Sequence, residues 1–458
     1  MKATDEAADV DVWNTADERI QSAQMIRAEQ DRDFTFRQAF DVPAKHFVRL
    51  TDETMREIEI APDGKWAVGR DIRGYISDFK RAAADIYRVN TTTGERTLML
   101  KNQMTNTSTG THVFGINPQG THFLYWKDNK VCDTYTVKAT VKDHGYDTQK
   151  GIQLYSSIHN DVLAIEQTIG SPINTGLLPQ FDADHMVNIP AAWAQSLTES
   201  PQIAVVGATY EVEMINVLDY LLKEGKIKKG DKIGHIYFEG EYGDGGLNGS
   251  KYFAKKNGLT IVEQQIQPTD TDMTAPVTKL KSEGVKAIAL TVAPGQTASV
   301  AGAAASMGLD VPIAGNNPVF APALLAGPAG PALKKNLYVA SPVAPFDKLP
   351  DLLEKYQAAN PGDPTLGVVW GTAAADTMRQ ILDKACADKD LTPEGVTAAK
   401  ENMGTVDTGG LAVPLTFKVG ASPSDASYIF RAADVPGGAK SVSDKFVGND
   451  VASFMSSN

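Results

Sequence analysis

The sequence predicts an α/β protein built on a parallel sheet and preceded by an all-β segment. Three observations carry this. From Tyr135 onward, short apolar runs of strand length alternate with amphipathic helical stretches at the spacing of βαβ units. Those helical stretches close on glycine or Asn-Gly, as helix C-termini do. Before residue 130 the pattern is different: short aromatic strands separated by Pro-x-Gly and Thr-Gly turns. The change falls within "DNKVCDTYTVKATVKDHGYDTQKG", residues 128–151.

In the first 130 residues two segments echo each other, "REIEIAPDGKWAVGRD" (56–71) and "HVFGINPQGTHFLYWKD" (112–128). Each is an apolar run, a Pro-x-Gly turn and a second apolar run. Proline presets φ and glycine supplies φ > 0, so each reads as a hairpin. "DIYRVNTTTGERTLML" (85–100) is a third, turning at Thr93-Gly94. A repeat of roughly 50 residues with about four strands per period is the pattern of propeller blades.

The helical half reads element by element. "YTVKATV" (135–141) is a strand and "YDTQKGIQLYSSI" (146–158) a helix. "DVLAIEQTIGS" (161–171) is a strand running into a loop, and "PQIAVVGAT" (201–209) is another strand. "EVEMINVLDYLLKEGK" (211–226) places apolar residues at 212, 215, 218, 221 and 222 on one helical face, with Gly225 as its cap. "KIGHIYFEG" (232–240) and "VKAIALTV" (285–292) are strands. "GLNGSKYFAKKNG" (246–258) and "DMTAPVTKLKSEG" (272–284) are helices. The acidic "TDTD" (269–272) lacks the glycine and distal glutamate of a calcium loop and reads as a helix N-cap.

Residues from about Lys138 to Phe454 resemble the type 1 periplasmic solute-binding proteins, the branched-chain amino-acid-binding family of ABC importers. The stretches that carry the resemblance are "HIYFEGEYGDGGLNGSKYFAKKNG" (235–258), "PTDTDMTAPVTKLKSEGVKAIAL" (268–290) and "AASMGLDVPIAGNNPVFAPALL" (304–325). The resemblance implies a two-lobed fold with a ligand cleft between doubly wound lobes, three crossover strands as hinge, and closure on a small-molecule solute. It implies one lobe from 131–208 and 342–410, and a second from 209–341 and 411–458. It implies membrane subunits of an ABC importer as partners, an extracytoplasmic location, no cofactor and no enzymatic activity. Matched to the family's motifs, the ligand-binding candidates are Ser171 of "GSP", Ala191, Ala192 and Trp193 of "PAAWA", Tyr210, and Glu241 and Tyr242 of "EYGDG". For a ligand ammonium the acidic candidates are Glu239, Glu241 and Asp272. The ligand class implied is a small polar metabolite, an amino acid or similar.

The first 130 residues resemble the N-terminal propeller of prolyl-oligopeptidase-type serine peptidases through the same Pro-Asp-Gly and Thr-Gly turns. No Gly-x-Ser-x-Gly nucleophile elbow accompanies them; "IGSPI" (169–173) and "LNGSKY" (247–252) lack the second glycine. The alternatives to a binding protein are a propeller-based interaction module, a peptidase remnant, or a non-functional hybrid. In the solute-binding family a strand, a Gly-rich loop and a helix precede the counterpart of 135–141. None is recognisable upstream, so a fusion of two incomplete pieces is expected. The first lobe then has a vacant strand position, to be filled by a strand from 1–130 or by self-association.

Bulk properties narrow the classes. Of 458 residues, 42% are hydrophobic and 22% charged, the balance of a globular protein with a sizeable core. A net charge of −12 without a basic cluster argues against nucleic acid. "MKATDEAADVDVW" has no apolar core, so no signal peptide is expected there, and no run is long enough for a membrane span. Cys132 and Cys386, far apart, read as free thiols, and the seven histidines show no zinc spacing.

Overall fold

In the computed structural model the described residues are 28 and 32–457. Excepted are 62, 63, 77–82, 138, 360, 361 and, between 105 and 134, everything outside five short strands. The chain divides into two compact units, 1–138 and 139–458.

Among its described residues the first unit is built mainly of strands, with a 3-10 turn at Arg73–Tyr75. β1 (Gln38–Asp41) and β2 (His46–Arg49) form an antiparallel pair. β3 (Glu57–Ile60), β4 (Trp66–Asp71), β5 (Ala83–Asn90) and β6 (Arg96–Met104) form a four-stranded antiparallel meander. The hairpins expected from the turn residues are present. Gly64 (φ 70°) donates its N–H to the Ala61 carbonyl at 2.8 Å; Pro62 and Asp63 of that turn lie outside the described residues. Gly94 (φ 75°) closes the β5–β6 turn onto the Asn90 carbonyl at 2.8 Å. Val113–Ile116 pairs antiparallel with Phe123–Tyr125, as the second Pro-x-Gly hairpin requires; Pro118 and Gly120 lie outside the described residues. One face of the meander is buried through Ile58, Ala67 and Val89, with Val48, Leu50 and Met55 from the preceding segment.

Among its described residues the second unit holds two sheets with parallel strands and a short antiparallel pair, Thr405–Val406 with Leu415–Thr416. The small sheet pairs β7 (Ile165–Ile169) parallel with β8 (Asn188–Ala191), and Asn188 bridges to Ile203. Helices α1 (Thr148–Ser156) and α2 (Ser171–Ala183) pack beside it. The large sheet has seven strands: β9 (Lys232–Phe238), β10 (Thr260–Ile266), β11 (Ala287–Thr291), β12 (Ile313–Gly315), β13 (Leu337–Ser341), β14 (Ser427–Ala432) and β15 (Ala439–Phe446). Their order is β10-β9-β11-β12-β13-β14-β15, parallel up to β13 and antiparallel after it. The strand order reverses at β9, the switch point where open α/β sheets carry their ligand crevice. Helices α3 (Tyr210–Lys223), α4 (Glu241–Asn257), α5 (Thr274–Glu283) and α6 (Pro294–Ser306) cross between strands or cover them. α7 (Leu366–Ala387) and α8 (Pro393–Asn402) pack on each other, and α7 also packs on β7. Among the described residues no helix is long and apolar enough to cross a membrane.

Two expected strands are not strands. Of "YTVKATV" only Tyr135–Thr136 pairs, with Lys130–Val131; Val137 is exposed and Val141 is 93% exposed. Alternation favours a strand only where one face is buried, and here neither valine has a sheet to cover it. "PQIAVVGAT" has one bridge residue, Ile203, yet 202–209 are all buried. It is a crossing between the two sheets. Lys400 on α8 donates to the carbonyls of Pro201 (2.5 Å) and Ile203 (3.2 Å), supplying bonds that a ladder would otherwise make. The chain crosses again near Pro342 and near Ala412, where Val343 and Ala412 form an antiparallel bridge. Cys386 is disulfide-bonded, which overturns the expectation of free thiols at that position; Cys132 lies outside the described residues.

α3 departs from its expected one-sided face: every residue from Tyr210 to Leu221 is buried. Its outer side is covered by α4, whose first half is glycine-rich. A Cβ on Gly249 would lie 2.4 Å from the Glu211 carbonyl, and one on Gly246 would lie 2.0 Å from Thr291 Oγ1. Gly249 lets the two helices touch backbone to backbone, and Gly246 lets α4 close on β11. Burial carries carboxyls with it. Glu213, wholly buried, accepts the Asn317 N–H at 3.1 Å and the Asn317 side-chain amide at 3.2 Å, and desolvation pushes its pKa up to about 8.

Two tests follow from this packing. Gly249→Ala should lower stability by about 1–3 kcal/mol through overpacking. Gly302→Ala in α6, where an added Cβ meets nothing within 4 Å, should raise it by about 0.5–1 kcal/mol. Equal effects in urea melts would contradict the close helix contact. Glu213 is protonated in the folded protein up to about pH 8 but ionises near pH 4.3 when unfolded. The unfolded state therefore binds fewer protons across that window, and stability falls as pH rises through it. Glu213→Gln should remove that loss. Its stability gain over the parent, read from paired melts, grows from pH 5 to pH 8; a gain independent of pH would refute the assignment.

Candidate functional site

The carboxyl ends of the two sheets bring most of the expected residues together. At the small sheet, Gly170 ends β7 with φ 99°, and its N–H donates to the Ala191 carbonyl at the end of β8 (3.2 Å). A side chain there is blocked by the Tyr146 ring, 2.6 Å from the would-be Cβ. Asn174 holds the turn by donating to the carbonyls of Thr168 and Gly170, both at 2.8 Å, and its own oxygen accepts from Asn188 at 2.9 Å. This network fixes Ser171 as the first residue of α2, buried to 2% exposure. The segment expected to be a loop at Ser171 is thus a helix start. Ala191 is half-buried and Ala192 fully buried, leaving backbone rather than side chain beside Ser171's turn.

Trp193 follows, and its indole N–H donates to the Val206 carbonyl in the first crossing at 2.8 Å. A Cβ on Gly207 (φ 136°) would lie 2.4 Å from Pro342 and 2.9 Å from the Trp193 indole nitrogen, so two crossings and the ring share one crowded point. The Trp193 carbonyl accepts the N–H of Tyr210, at the start of α3 (2.8 Å). Tyr210 lies edge-on to Trp193, centroids 6.1 Å apart, and 4.7 Å from the Tyr242 ring. Tyr242, in the first turn of α4, donates its hydroxyl to the Val292 carbonyl beyond β11 at 3.1 Å. It therefore stands at the β9/β11 switch point. Burial raises the pKa of both phenols, so both are neutral donors. The rings of Trp193, Tyr210 and Tyr242 thus run unbroken from the end of one sheet to the end of the other.

Glu241 stands apart. It is exposed, and its carboxylate accepts the hydroxyl of Ser196, which follows β8. That bond joins the small-sheet side to the large-sheet side. The other acidic candidates are engaged elsewhere. Glu239 accepts from the Gln267 amide, and Asp272 accepts the Thr274 N–H (2.9 Å) ahead of α5, whose N-cap is Met273 rather than a residue of "TDTD".

Three residues at this site were not foreseen. Trp370 on α7 lies edge-on to Trp193, centroids 5.6 Å apart. Tyr146 covers Gly170. Glu211 is buried with one carboxyl oxygen unpartnered, and desolvation lifts its pKa to about 7. Only for Glu211 did the sequence hold a signal, the glycine stripe of α4 that admits it. Among the described residues no group of His, Cys, Asp and Glu is placed to hold a metal ion.

Chemically the site is an aromatic seam with a few polar groups. It can sandwich an apolar body and offer neutral donors to an acceptor; it has no nucleophile set against a base.

Comparison with known proteins bears on the family and the fold. The family model "Periplasmic binding protein" matches residues 127–438. Among solved structures, a fatty acid ABC transporter substrate-binding protein from Thermomonospora curvata is 41% identical, with a TM-score of 0.68 over 71% of this chain and 85% of that one. A branched-chain amino acid ABC transporter protein from Thermus thermophilus with bound valine is 20% identical, with a TM-score of 0.60 over 69% of this chain and 87% of that one. A solute-binding protein from Rhodopseudomonas palustris BisB5, in complex with 3,4-dihydroxybenzoic acid, is 19% identical, with a TM-score of 0.58 over 70% and 88%. No curated protein sequence matches. The chain belongs to the periplasmic binding protein family, the substrate-binding proteins of ABC transporters.

Proposed function

We propose that the ligand is a small monocarboxylic acid with an apolar body, gripped between a lobe of residues 131–208 and 342–410 and a lobe of 209–341 and 411–458. The observation that carries this is the aromatic seam of Trp193, Tyr210 and Tyr242, drawn from the carboxyl ends of both sheets. Aromatic walls suit an apolar body, with a few polar groups fixing its orientation. Ser171, Ala191 and Ala192 form the small-residue end of the site, beside the positive end of α2. An amino acid, the class suggested by the sequence, also needs an ionised acceptor for its ammonium. Glu239 and Asp272 are engaged elsewhere, Glu241 is turned to Ser196, and burial disfavours the charged form of Glu211 and Glu213. The 41%-identical relative is described as a fatty acid binder, which agrees with an apolar-bodied acid.

The mechanism is closure by population shift: ligand binds the closed arrangement better than the open one. The protein hands its solute to the membrane subunits of an ABC importer, outside the cytoplasm. A disulfide-bonded Cys386 suits that oxidising compartment. The chemistry is binding rather than catalysis. The meander of the first unit has the form of one propeller blade, and we read it as an appended interaction module.

A thermal-shift panel of octanoate, 3,4-dihydroxybenzoate and valine tests the ligand class. At hundredfold excess over Kd a ligand adds about 2.7 kcal/mol of stability, enough to see. Stabilisation by octanoate or the benzoate is expected; a response to valine alone would return the site to the amino acids. Tyr242→Ala should weaken acid binding at least tenfold in calorimetry with the circular dichroism preserved, because it removes one wall. Ser196→Ala should weaken binding about threefold, the worth of one exposed hydrogen bond that forms only on closure. Unchanged affinity in both variants would place the ligand elsewhere.

A further inference from the structure

The polar groups of the aromatic seam fall into two sets. Three are satisfied within the protein: the Trp193 indole N–H by Val206, the Tyr242 hydroxyl by Val292, and the Tyr210 backbone N–H by Trp193. Two are not. The indole nitrogen of Trp370 is buried and makes no hydrogen bond, and neither does the buried hydroxyl of Ser171. Trp370 is 9% exposed and Ser171 2%. Each touches the seam at a different ring. Trp370 abuts Trp193, and the Ser171 hydroxyl lies beside the Tyr210 phenol without forming a proper bond.

Buried donors in native proteins find an acceptor, so each orphan asks for an occupant. An indole N–H can only donate. Whatever meets it must be an acceptor, which excludes an ammonium group and favours an oxyanion. Ser171 can donate as well, and it opens a helix of 13 residues whose positive end favours negative charge.

We infer that the indole N–H of Trp370, together with the Ser171 hydroxyl, holds the carboxylate of the bound acid and makes the site select acids over neutral molecules of the same shape. This rests on the apolar-acid reading above and adds the residue that recognises the charged end. The contact comes from α7, nearly two hundred residues along the chain from Ser171, so both long segments of the first lobe would grip the same end of the ligand.

The test is calorimetry with octanoate and its neutral match octanamide on the full chain. The parent should prefer octanoate. Trp370→Phe, which keeps a ring and deletes the N–H, should lose about tenfold or more in octanoate affinity and little in octanamide affinity, so the preference narrows. Ser171→Ala should act in the same direction. Parent-like octanoate affinity in Trp370→Phe overturns the inference and leaves the apolar-acid reading standing. A parent that binds no octanoate or other monocarboxylate overturns both. If Trp370→Phe does not fold, nitrogen-15 labelling of the five tryptophans supplies the readout. One indole N–H resonance, Trp370's, should move downfield on adding octanoate, while that of Trp193, already bonded, stays. No movement of the Trp370 resonance at saturation also overturns the proposal.

Discussion

The close contact of α3 with α4 governs the rest of the binding unit. Gly245 and Gly249 lack the side chains that would hold the helices apart, and Gly246 does the same where α4 meets Thr291 of β11. A Cβ on Gly243 would sit 1.7 Å from the Phe238 carbonyl, so even the turn from β9 into α4 depends on its absence. With the helices in contact, α3 is sealed on all sides and its first residue, Tyr210, is fixed against Tyr242. The same contact buries Glu211, while Glu213, on the other side of α3, is buried beside Asn317. Desolvation of Glu211 is the cost of bringing Tyr210 and Tyr242 within ring distance.

What could be read in the sequence follows from which forces act locally. Helix ends at Gly258 and Gly284, both left-handed here, are legible because the cap needs positive φ whatever surrounds it. The hairpins of the first unit are legible for the same reason, through Gly64 and Gly94. "PQIAVVGAT" misleads because an apolar run records burial, not pairing. The segment is buried by crossing between sheets, with Lys400 and Asn188 serving its carbonyls and amides. "YTVKATV" misleads in the opposite sense: alternation describes a face, but Val141 meets no partner layer. α3 reads as one-sided because Glu211, Glu213, Asn216 and Asp219 interrupt its apolar pattern, although all four are buried.

The candidate site divides in the same way. Ser171, Trp193 and Tyr242 sit next to strand ends, where short motifs and a family resemblance find them. Trp370 sits within "LGVVWGTAAAD", where a tryptophan between valine and glycine looks like one more core residue. Its position beside Trp193 is a product of tertiary folding alone, joining segments far apart in the chain. Its unpaired nitrogen is visible only once neighbours can be counted.

The bond from the Trp193 indole to the Val206 carbonyl carries a mechanical meaning. In the proposed binding mode one ring would be both wall to the ligand and strut to the crossing between the sheets. A solute that wedges Trp193 away from Tyr210 must push on that crossing, and a crossing that bends must drag the ring. On that reading occupancy and the angle of the crossing would move together. The lifetime of the loaded state would be set by how stiff that strut is, and a docking membrane subunit that bends the crossing would loosen the solute without touching it.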